Sequence, residues 1–125
     1  MNSLQPASTT VVWADPTRLA AFERWLATLA EHRLDAASLR PASADASFRR
    51  YLRVAGAKGS YIVMDAPPPQ EDVRPFVLVA GLIERAGLNA PHVLGQDVAH
   101  GFLLLTDLGA QPYLGALQAP RAATS

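Results

Sequence analysis

Hydrophobic residues recur at helical spacing near the start of the chain. The recurring positions are Leu19, Phe22, Leu26, Leu29 and Ala30. Spacings of three and four residues place these side chains on one face of an α-helix. We expect the helix to begin at Asp15, which can cap free backbone N–H groups, and at Pro16, which suits the first turn. It is predicted to end near residues 32–34, and residues 1–14 are interpreted as a flexible lead-in.

A second amphipathic helix is predicted over residues 73–86. Its apolar face consists of Phe76, Val79, Ala80, Ile83 and Ala86. Asp72 is placed to cap the first turn, and Gly87 stands where a left-handed residue commonly ends a helix. Pro91 then bars any continuation, because proline lacks the N–H group that a helix needs.

Alternating hydrophobicity predicts β-strands in much of the remaining chain. Along residues 48–54, one face carries Phe48, Arg50, Leu52 and Val54, and the other carries Arg49, Tyr51 and Arg53. A glycine-containing turn at residues 56–59 leads into a partner strand at residues 60–64, which predicts a hairpin. Further short strands are predicted at residues 38–42, 92–94 and 102–105. Together these elements predict an α+β fold with an antiparallel sheet of about five strands, one packed helix and an extra N-terminal helix.

Composition excludes several classes of function. Half of the 125 residues are hydrophobic and 18% are charged, which is typical of a globular domain. The formal net charge is zero, so there is no electrostatic attraction to nucleic acid or to an anionic membrane. Cysteine is absent, which excludes disulfides and thiolate chemistry. Since no signal peptide or membrane span is recognisable either, we expect a cytoplasmic protein without nucleic-acid or membrane partners.

The remaining polar clusters favour structural roles. The three histidines lie on separate elements, so their spacing does not predict a metal site. For the arginines at positions 49, 50 and 53, a solvated face is favoured over anion binding. The prolines at positions 67–69 are interpreted as a stiff connector rather than a ligand for a polyproline reader. Capping or loop roles are expected for Asp65, Glu71 and Asp72.

Four stretches of the chain carry a family resemblance. They are residues 45–51 (DASFRRY), 63–68 (VMDAPP), 87–91 (GLNAP) and 102–109 (FLLLTDLG). In this order they resemble the N-terminal lobe of the aminoglycoside phosphotransferase-like kinases. The likeness is greatest to the bacterial branch that phosphorylates N-acetylmuramate and N-acetylglucosamine at the anomeric position. Aminoglycoside modification is the alternative activity within this family.

The resemblance implies a site for ATP. The turn at residues 43–47 corresponds to the loop that covers the phosphates in kinases, and it presents Ser43, Asp45 and Ser47. Small residues let backbone N–H groups approach phosphate oxygens, and the two serine hydroxyls could add donors. Because the turn contains no glycine, an ordinary polar hairpin turn is the alternative interpretation.

The resemblance also assigns the adenine end of the site. Thr106, Asp107 and Leu108 correspond to the hinge, where backbone groups read the edge of the base. The walls of the adenine slot are assigned to Phe48, to Ile62 or Val63, and to Leu105. For each of these apolar side chains, ordinary core packing is the alternative.

Two features depart from the kinase pattern. Kinase lobes place a lysine on the strand that corresponds to residues 61–64, paired with a glutamate on the following helix. Here the strand offers Met64 and Asp65, Lys58 lies too early, and Phe76 occupies the expected glutamate position. In addition, the catalytic aspartate and the magnesium ligands of this family lie on a second lobe, and nothing in this chain matches them.

We therefore expect residues 15–109 to be the ATP-binding lobe of a truncated or split amino-sugar kinase. Residues 110–125 are interpreted as a hinge and disordered tail, with the catalytic C-terminal lobe absent. ATP and Mg²⁺ would be bound together with that missing lobe, and neither would be bound tightly by this chain alone. The missing lobe would also hold the amino sugar, and the chain alone is predicted to be inactive. The alternative is a non-catalytic interaction module that keeps the fold and could self-associate through an exposed apolar face.

Overall fold

Five antiparallel strands form the middle layer of the fold, and one helix covers each face. The structure, a computed structural model, describes residues 11–44 and 48–109, without the side chains of Ser43 and Ala44. In chain order the elements are α1 (Pro16–Ala27), a 3₁₀ turn (Ala30–His32), β1 (Asp35–Ala44), β2 (Arg50–Gly56), β3 (Gly59–Asp65), α2 (Arg74–Arg85), β4 (Val93–Asp97) and β5 (Phe102–Thr106). The strand order is β1-β2-β3-β5-β4, with every neighbouring pair antiparallel. The predicted α+β fold is confirmed.

Alternation along the strands separates two apolar cores. The core that faces α2 contains Tyr51, Ile62, Met64, Leu103 and Leu105, with Val73, Phe76 and Ala80 packed on them. The core that faces α1 contains Leu52, Val54, Tyr61, Val63, Phe102 and Leu104, with Ala21, Phe22, Trp25 and Leu29 packed on them. Each fully buried large apolar side chain contributes about 1.5–3 kcal/mol. Because both faces are covered, β3 and β5 are apolar along nearly their whole length.

The first helix begins where the sequence predicted and ends earlier. The Asp15 carboxylate accepts a hydrogen bond of 2.9 Å from the Thr17 N–H, which caps the first turn. Both the N–H and the hydroxyl of Thr28 donate to the Trp25 carbonyl, at 2.9 and 2.6 Å. The Trp25 carbonyl therefore accepts from Thr28 and not from the residue four positions later, as an α-helix requires. For this reason α1 ends at Ala27 instead of residues 32–34. A short 3₁₀ turn follows, and Arg33 adopts a left-handed conformation with φ of 50°.

The predicted hairpin is confirmed, and the strand beside it is longer than expected. Gly56 pairs with Gly59 across a two-residue turn at the tip of the β2–β3 hairpin. β1 extends over ten residues rather than residues 38–42, although it contains Pro41. It is an edge strand, where a residue without an N–H group is tolerated. The N–H of Ala55 donates to the hydroxyl of Ser38 at 2.8 Å, which ties the two strands together.

The second helix begins at Arg74, one residue later than predicted. Its N-cap is Val73, which makes no side-chain capping hydrogen bond, so Asp72 is not the N-cap, while the predicted left-handed glycine does follow the helix. The Asp72 carboxylate accepts a 3.0 Å hydrogen bond from the Arg74 N–H, and Gly87 follows the helix with φ of 79°. Phe76 and Ala80 are buried on the predicted face, but Ala86 is exposed because the helix ends before it. Hydrogen bonds and charge from Arg74 lower the pKa of Asp72 to about 2.

A buried carboxylate joins α1 to the sheet. Asp65, at the end of β3, receives hydrogen bonds from the Nη2 and Nε atoms of Arg18 at 2.6 and 2.9 Å. The Nε atom of Arg50, on β2, donates to its other oxygen at 2.7 Å. Arg18 stacks on the Phe102 ring and Arg50 on the Trp13 ring, so both cations are also held by aromatic faces. The expectation of a loop or capping role for Asp65 is therefore wrong.

Neither long helix in the described part of the chain combines the length and the apolar character that crossing a membrane requires.

We predict that Asp65→Asn destabilises the fold by about 3–5 kcal/mol, because it leaves two partly buried guanidinium groups without their counter-charge. Urea unfolding of the 125-residue chain measures this loss. Asp97→Asn is the matched control, since Asp97 pairs with His100 at an exposed site and should cost less than about 1 kcal/mol. Equal losses in the two variants would contradict a central role for Asp65.

We also predict that Gly101→Ala is more damaging than Gly87→Ala. Both glycines have a positive φ, of 77° and 79°, so the backbone cost is similar. A Cβ atom at Gly101 would lie 1.9 Å from the Ala66 carbonyl oxygen, whereas at Gly87 it would meet nothing within 4 Å. We expect Gly101→Ala to lose about 1–3 kcal/mol more in thermal unfolding. A difference near zero would show that the loop before β5 relaxes freely.

Candidate functional site

The candidate apolar residues do not all share one face of the sheet. Leu105 on β5 is register partner to Ile62 on β3, and both side chains face α2. Val63 is the next residue along β3, so its side chain points to the opposite face and packs in the core against α1. Val63 and Leu105 therefore cannot line one slot. Ile62, the other candidate from the sequence, takes the place beside Leu105.

The predicted phosphate turn is only partly described. Asp45 and Ser47 lie outside the described residues, and of Ser43 only the backbone is described, opposite Tyr51 in the β1–β2 pairing. Phe48 is 65% exposed and lines a cleft on the α1 side with Trp13 and Arg50. It therefore does not lie with Ile62 and Leu105 on the α2 side.

The predicted hinge lies at the other end of the sheet from this turn. β5 ends at Thr106, which pairs with Tyr61, and Tyr61 pairs with Val54 on β2. The turn precedes Arg50, at the opposite end of β2. A strand rises about 3.3 Å per residue, so the four steps from Arg50 to Val54 correspond to about 13 Å. Thr106 and the cross-strand pair of Ala44 and Arg50, which flanks the turn, therefore stand at opposite ends of the sheet.

Polar contacts hold Thr106 and Asp107 of the predicted hinge in place. The Thr106 N–H donates to the His92 carbonyl at 3.1 Å, and its hydroxyl accepts from the His92 N–H at 2.9 Å. The Asp107 carboxylate accepts from Arg53 Nε at 2.6 Å, from the Ser60 hydroxyl at 2.7 Å and from the Gly109 N–H at 2.9 Å. Burial alone would raise the pKa of Asp107, but these hydrogen bonds and the Arg53 charge lower it to about 2.

Three arginines that the sequence grouped as a solvated face are instead held in ion pairs. Arg49 binds Glu71 at 2.8 Å, Arg50 binds Asp65 at 2.7 Å, and Arg53 binds Asp107 at 2.6 Å. The Arg49 and Glu71 side chains are each only 12% exposed. Burial would lower the pKa of Arg49, but interactions with the Tyr51 hydroxyl and Glu71 outweigh it and raise that pKa. Glu71 is thus an ion-pair partner, not simply a loop residue.

The place of the usual strand lysine is apolar. Met64 on β3 is fully buried, and it belongs to the same core cluster as Phe76 of α2. A kinase lobe commonly joins these two elements by a lysine–glutamate pair. At the positions that the resemblance assigned to this pair, Met64 and Phe76 belong to one buried apolar cluster.

Two clefts open on the α1 side of the sheet. The first, of about 580 Å³, is lined by Asp65, Arg18, Phe48 and His100 among others. The second, of about 520 Å³, lies behind the hinge and is lined by Lys58, Tyr61, Thr106 and Asp107 among others. Within residues 11–44 and 48–109, no group of three or more histidine, aspartate or glutamate side chains could hold a metal ion.

Comparison with known proteins identifies the family. Residues 38–125 match the model of the phosphotransferase enzyme family, which covers most of the chain from β1 onwards. The chain therefore belongs to the phosphotransferase enzyme family. This agrees with the five-stranded sheet and with the resemblance that the sequence carries.

The similar curated proteins are amino-sugar kinases by name. An N-acetylmuramate/N-acetylglucosamine kinase from Pseudomonas aeruginosa is 63% identical over 81 residues, which are 65% of this chain and 24% of that protein. One of the same name from Pseudomonas putida is 53% identical over 87 residues, 70% of this chain and 26% of that protein. A third, from Neisseria meningitidis, is 40% identical over 101 residues, which are 80% of this chain and 29% of that protein. The chain thus spans about a quarter of the length of these relatives.

Sequence reasoning named Asp107 as a hinge residue but missed the ion pairs that the carboxylates of this region form. Asp65, Glu71 and Asp107 each pair with an arginine of the segment 49–53, and two of these separations exceed twenty residues. Local periodicity carries no information about such contacts. Three arginines close together along a predicted strand could have indicated these pairs, because partly buried cations need carboxylate partners nearby.

We predict that Asp107→Asn lowers stability near neutral pH by about 1 kcal/mol, after allowing for solvent screening of Arg53. The pKa of Asp107 is depressed in the folded chain, so its stabilisation is present above the unfolded pKa of about 3.9 and is lost as pH falls through about 2. Unfolding experiments between pH 7 and pH 2 should show that the free energies of unfolding of the unsubstituted chain and of Asp107→Asn converge below about pH 4. Asp72 also has a lowered pKa, but its titration changes the stability of both chains equally and so does not affect the difference between them. A difference that stays constant with pH would contradict the ion pair.

Proposed function

We propose that this chain is the ATP-binding lobe of a cytoplasmic kinase that phosphorylates N-acetylmuramate or N-acetylglucosamine during cell-wall recycling. The observation that carries the proposal is the 63% identity to a kinase named for these sugars, over a segment that includes most of the sheet. The family match over residues 38–125 supports phosphoryl transfer as the reaction class. Cell-wall recycling would follow from the sugars, which are components of peptidoglycan.

On this proposal a nucleotide would enter on the side of the sheet that faces α2, and it would have to displace the cover of Ile62 and Leu105, which are 2% and 0% exposed. The base would lie against Ile62 and Leu105 and be read by the backbone of Asp107 and Leu108, since the Thr106 N–H already donates to His92. The phosphates would extend along β2 toward the turn at residues 43–47. ATP would supply the phosphoryl group for transfer. The ion pair between Arg53 and Asp107 would hold the hinge in shape before the nucleotide binds.

The acceptor sugar and Mg²⁺ would be bound by a second lobe. Phosphoryl transfer needs an aspartate that orients the acceptor hydroxyl and oxygen ligands for magnesium, and kinases supply both from the lobe after the hinge. The relatives are about four times as long as the matched segment, which leaves room for such a lobe. On this proposal the 125 residues alone do not catalyse the reaction.

The second candidate is a non-catalytic interaction module. Leu78 and Leu82 lie one helical turn apart on the outer face of α2, and they are 60% and 51% exposed. Such a pair could contact another protein or a second copy of the chain. This alternative keeps the fold and leaves the nucleotide side unused.

The kinase-lobe proposal and the interaction-module alternative predict different activities for a chimeric kinase. We predict that exchanging the 81 matched residues of the Pseudomonas aeruginosa kinase for those of this chain preserves ATP-dependent phosphorylation of the sugars, within about tenfold of the parent. The parent kinase is the positive control, and the 125-residue chain alone should give no phosphosugar. A folded chimera without activity would reject the kinase-lobe proposal, and a defined oligomer of the isolated chain would then support the interaction module.

A further inference from the structure

The larger cleft on the α1 side of the sheet is not used by the proposed function. Its volume of about 580 Å³ falls within the range of small-molecule sites in proteins. One wall is the face of α1 that carries Thr17, Ala21 and Arg24, at spacings of four and three residues. Another wall comes from the sheet, through Arg50 on β2 and Asp65 on β3. A ligand in this cleft would therefore contact both the helix and the sheet.

The charged side chains around this cleft leave an excess of positive charge. Those that line it are three arginines and two aspartates, at positions 18, 24, 50, 15 and 65. His100 also lines the cleft, and its ring is paired with Asp97. Two guanidinium groups share the one carboxylate of Asp65, so that carboxylate leaves one of their positive charges uncompensated. The cleft therefore favours an anion over a cation.

The Arg50 guanidinium group is held by three contacts and keeps one nitrogen unused. Nε donates to Asp65 at 2.7 Å, and Nη1 donates to the Val12 carbonyl at 2.8 Å. Its Cζ atom lies 4.7 Å from the centroid of the Trp13 ring. No hydrogen bond between described residues uses Nη2. Because the group is already in position, an anion that binds Nη2 would cost little side-chain entropy.

Arg24 supplies a second set of donors. Its side chain is exposed, and in the part of the chain that the structure describes its guanidinium group takes part in no ion pair or hydrogen bond. Arg18, on the same helix, instead donates to Asp65 and to the His100 carbonyl. A guanidinium group can bind a carboxylate or a phosphate through two parallel N–H groups. Arg24 on the helix and Arg50 on the sheet thus offer two cationic contacts in one cleft.

We propose that this cleft binds a small organic oxyanion through Arg24 and the Nη2 atom of Arg50. The recognised group is a carboxylate or a phosphate on a molecule of about sugar size, since the cleft is larger than a bare ion fills. The Thr17 hydroxyl and the Gln70 amide line the same cleft and provide polar contacts for the rest of such a molecule. The site lies on the face of the sheet opposite the proposed nucleotide position. The inference does not rest on the proposed kinase function.

Matched ligands with and without the anionic group test the proposal. We would titrate the ¹⁵N-labelled 125-residue chain with N-acetylglucosamine, with N-acetylmuramate, which adds a carboxylate, and with N-acetylglucosamine 1-phosphate, which adds a phosphate. The indole N–H of Trp13 and the backbone amides of residues 17–24 report on the cleft, and the amides of residues 105–108 report on the hinge. At least one of the two anions should shift the cleft signals and bind at least about tenfold more tightly than the neutral sugar. The anion that does so shows whether the ligand carries a carboxylate or a phosphate.

Substitutions of the two arginines test the contacts. Arg24→Gln should weaken binding of that anion at least about fivefold and leave the thermal stability of the free chain unchanged, because its guanidinium group holds no other part of the fold. Arg50→Lys keeps the charge beside Asp65 but removes Nη2, and it should weaken the anion about threefold. Arg85→Gln removes the same charge from the exposed last turn of α2, which packs on the other face of the sheet. It is the control and should leave the affinity unchanged.

Three results would overturn the inference. They are binding of neither anion above the level of N-acetylglucosamine, shifts confined to residues 105–108, and an Arg24→Gln chain that binds the anion as tightly as the unsubstituted chain. If Arg50→Lys fails to fold, Arg24→Gln decides alone. The outcome is independent of the kinase proposal, because the titration requires neither a nucleotide nor a second lobe.

Discussion

The carboxylate of Asp65 is the constraint around which the α1 side of the molecule is arranged. Removing this charge from water is unfavourable unless cations compensate it, and Arg18 and Arg50 do so from two different elements. Arg18 also donates to the His100 carbonyl, and Arg50 to the Val12 carbonyl at 2.8 Å. One buried charge thereby sets the position of the helix, the segment before it and the loop that leads into β5.

The same principle repeats along the sheet. Arg49, Arg50 and Arg53 follow one another on a single stretch of chain, yet each pairs with a carboxylate from a different segment. The cations alternate between the two faces as the strand does, so they connect both sides of the sheet to their surroundings. These three arginines are thus held in specific, partly buried pairs, whereas other charged residues such as Arg24, Lys58 and Arg85 lie exposed on the surface.

The sequence predicted what local signals determine. Capping by Asp15 and the left-handed Gly87 depend on neighbouring residues, and both were found as expected. Residues 61–64 are apolar throughout, so their spacing could not decide whether Ile62 or Val63 lies beside Leu105. That decision is made by pairing with β5 and by the two covering helices. The position of β5 could be predicted, but the partners of Asp107 are too distant in sequence for local patterns to indicate them.

The family match and the folding unit have different boundaries. The match begins at residue 38, after α1 has ended, although α1 covers one entire face of the sheet. A segment cut at the family boundary would leave Val63, Phe102 and Leu104 facing water and would take one of the two cations from Asp65. The family model therefore starts inside the packed unit, because it leaves out the helix that covers Val63, Phe102 and Leu104.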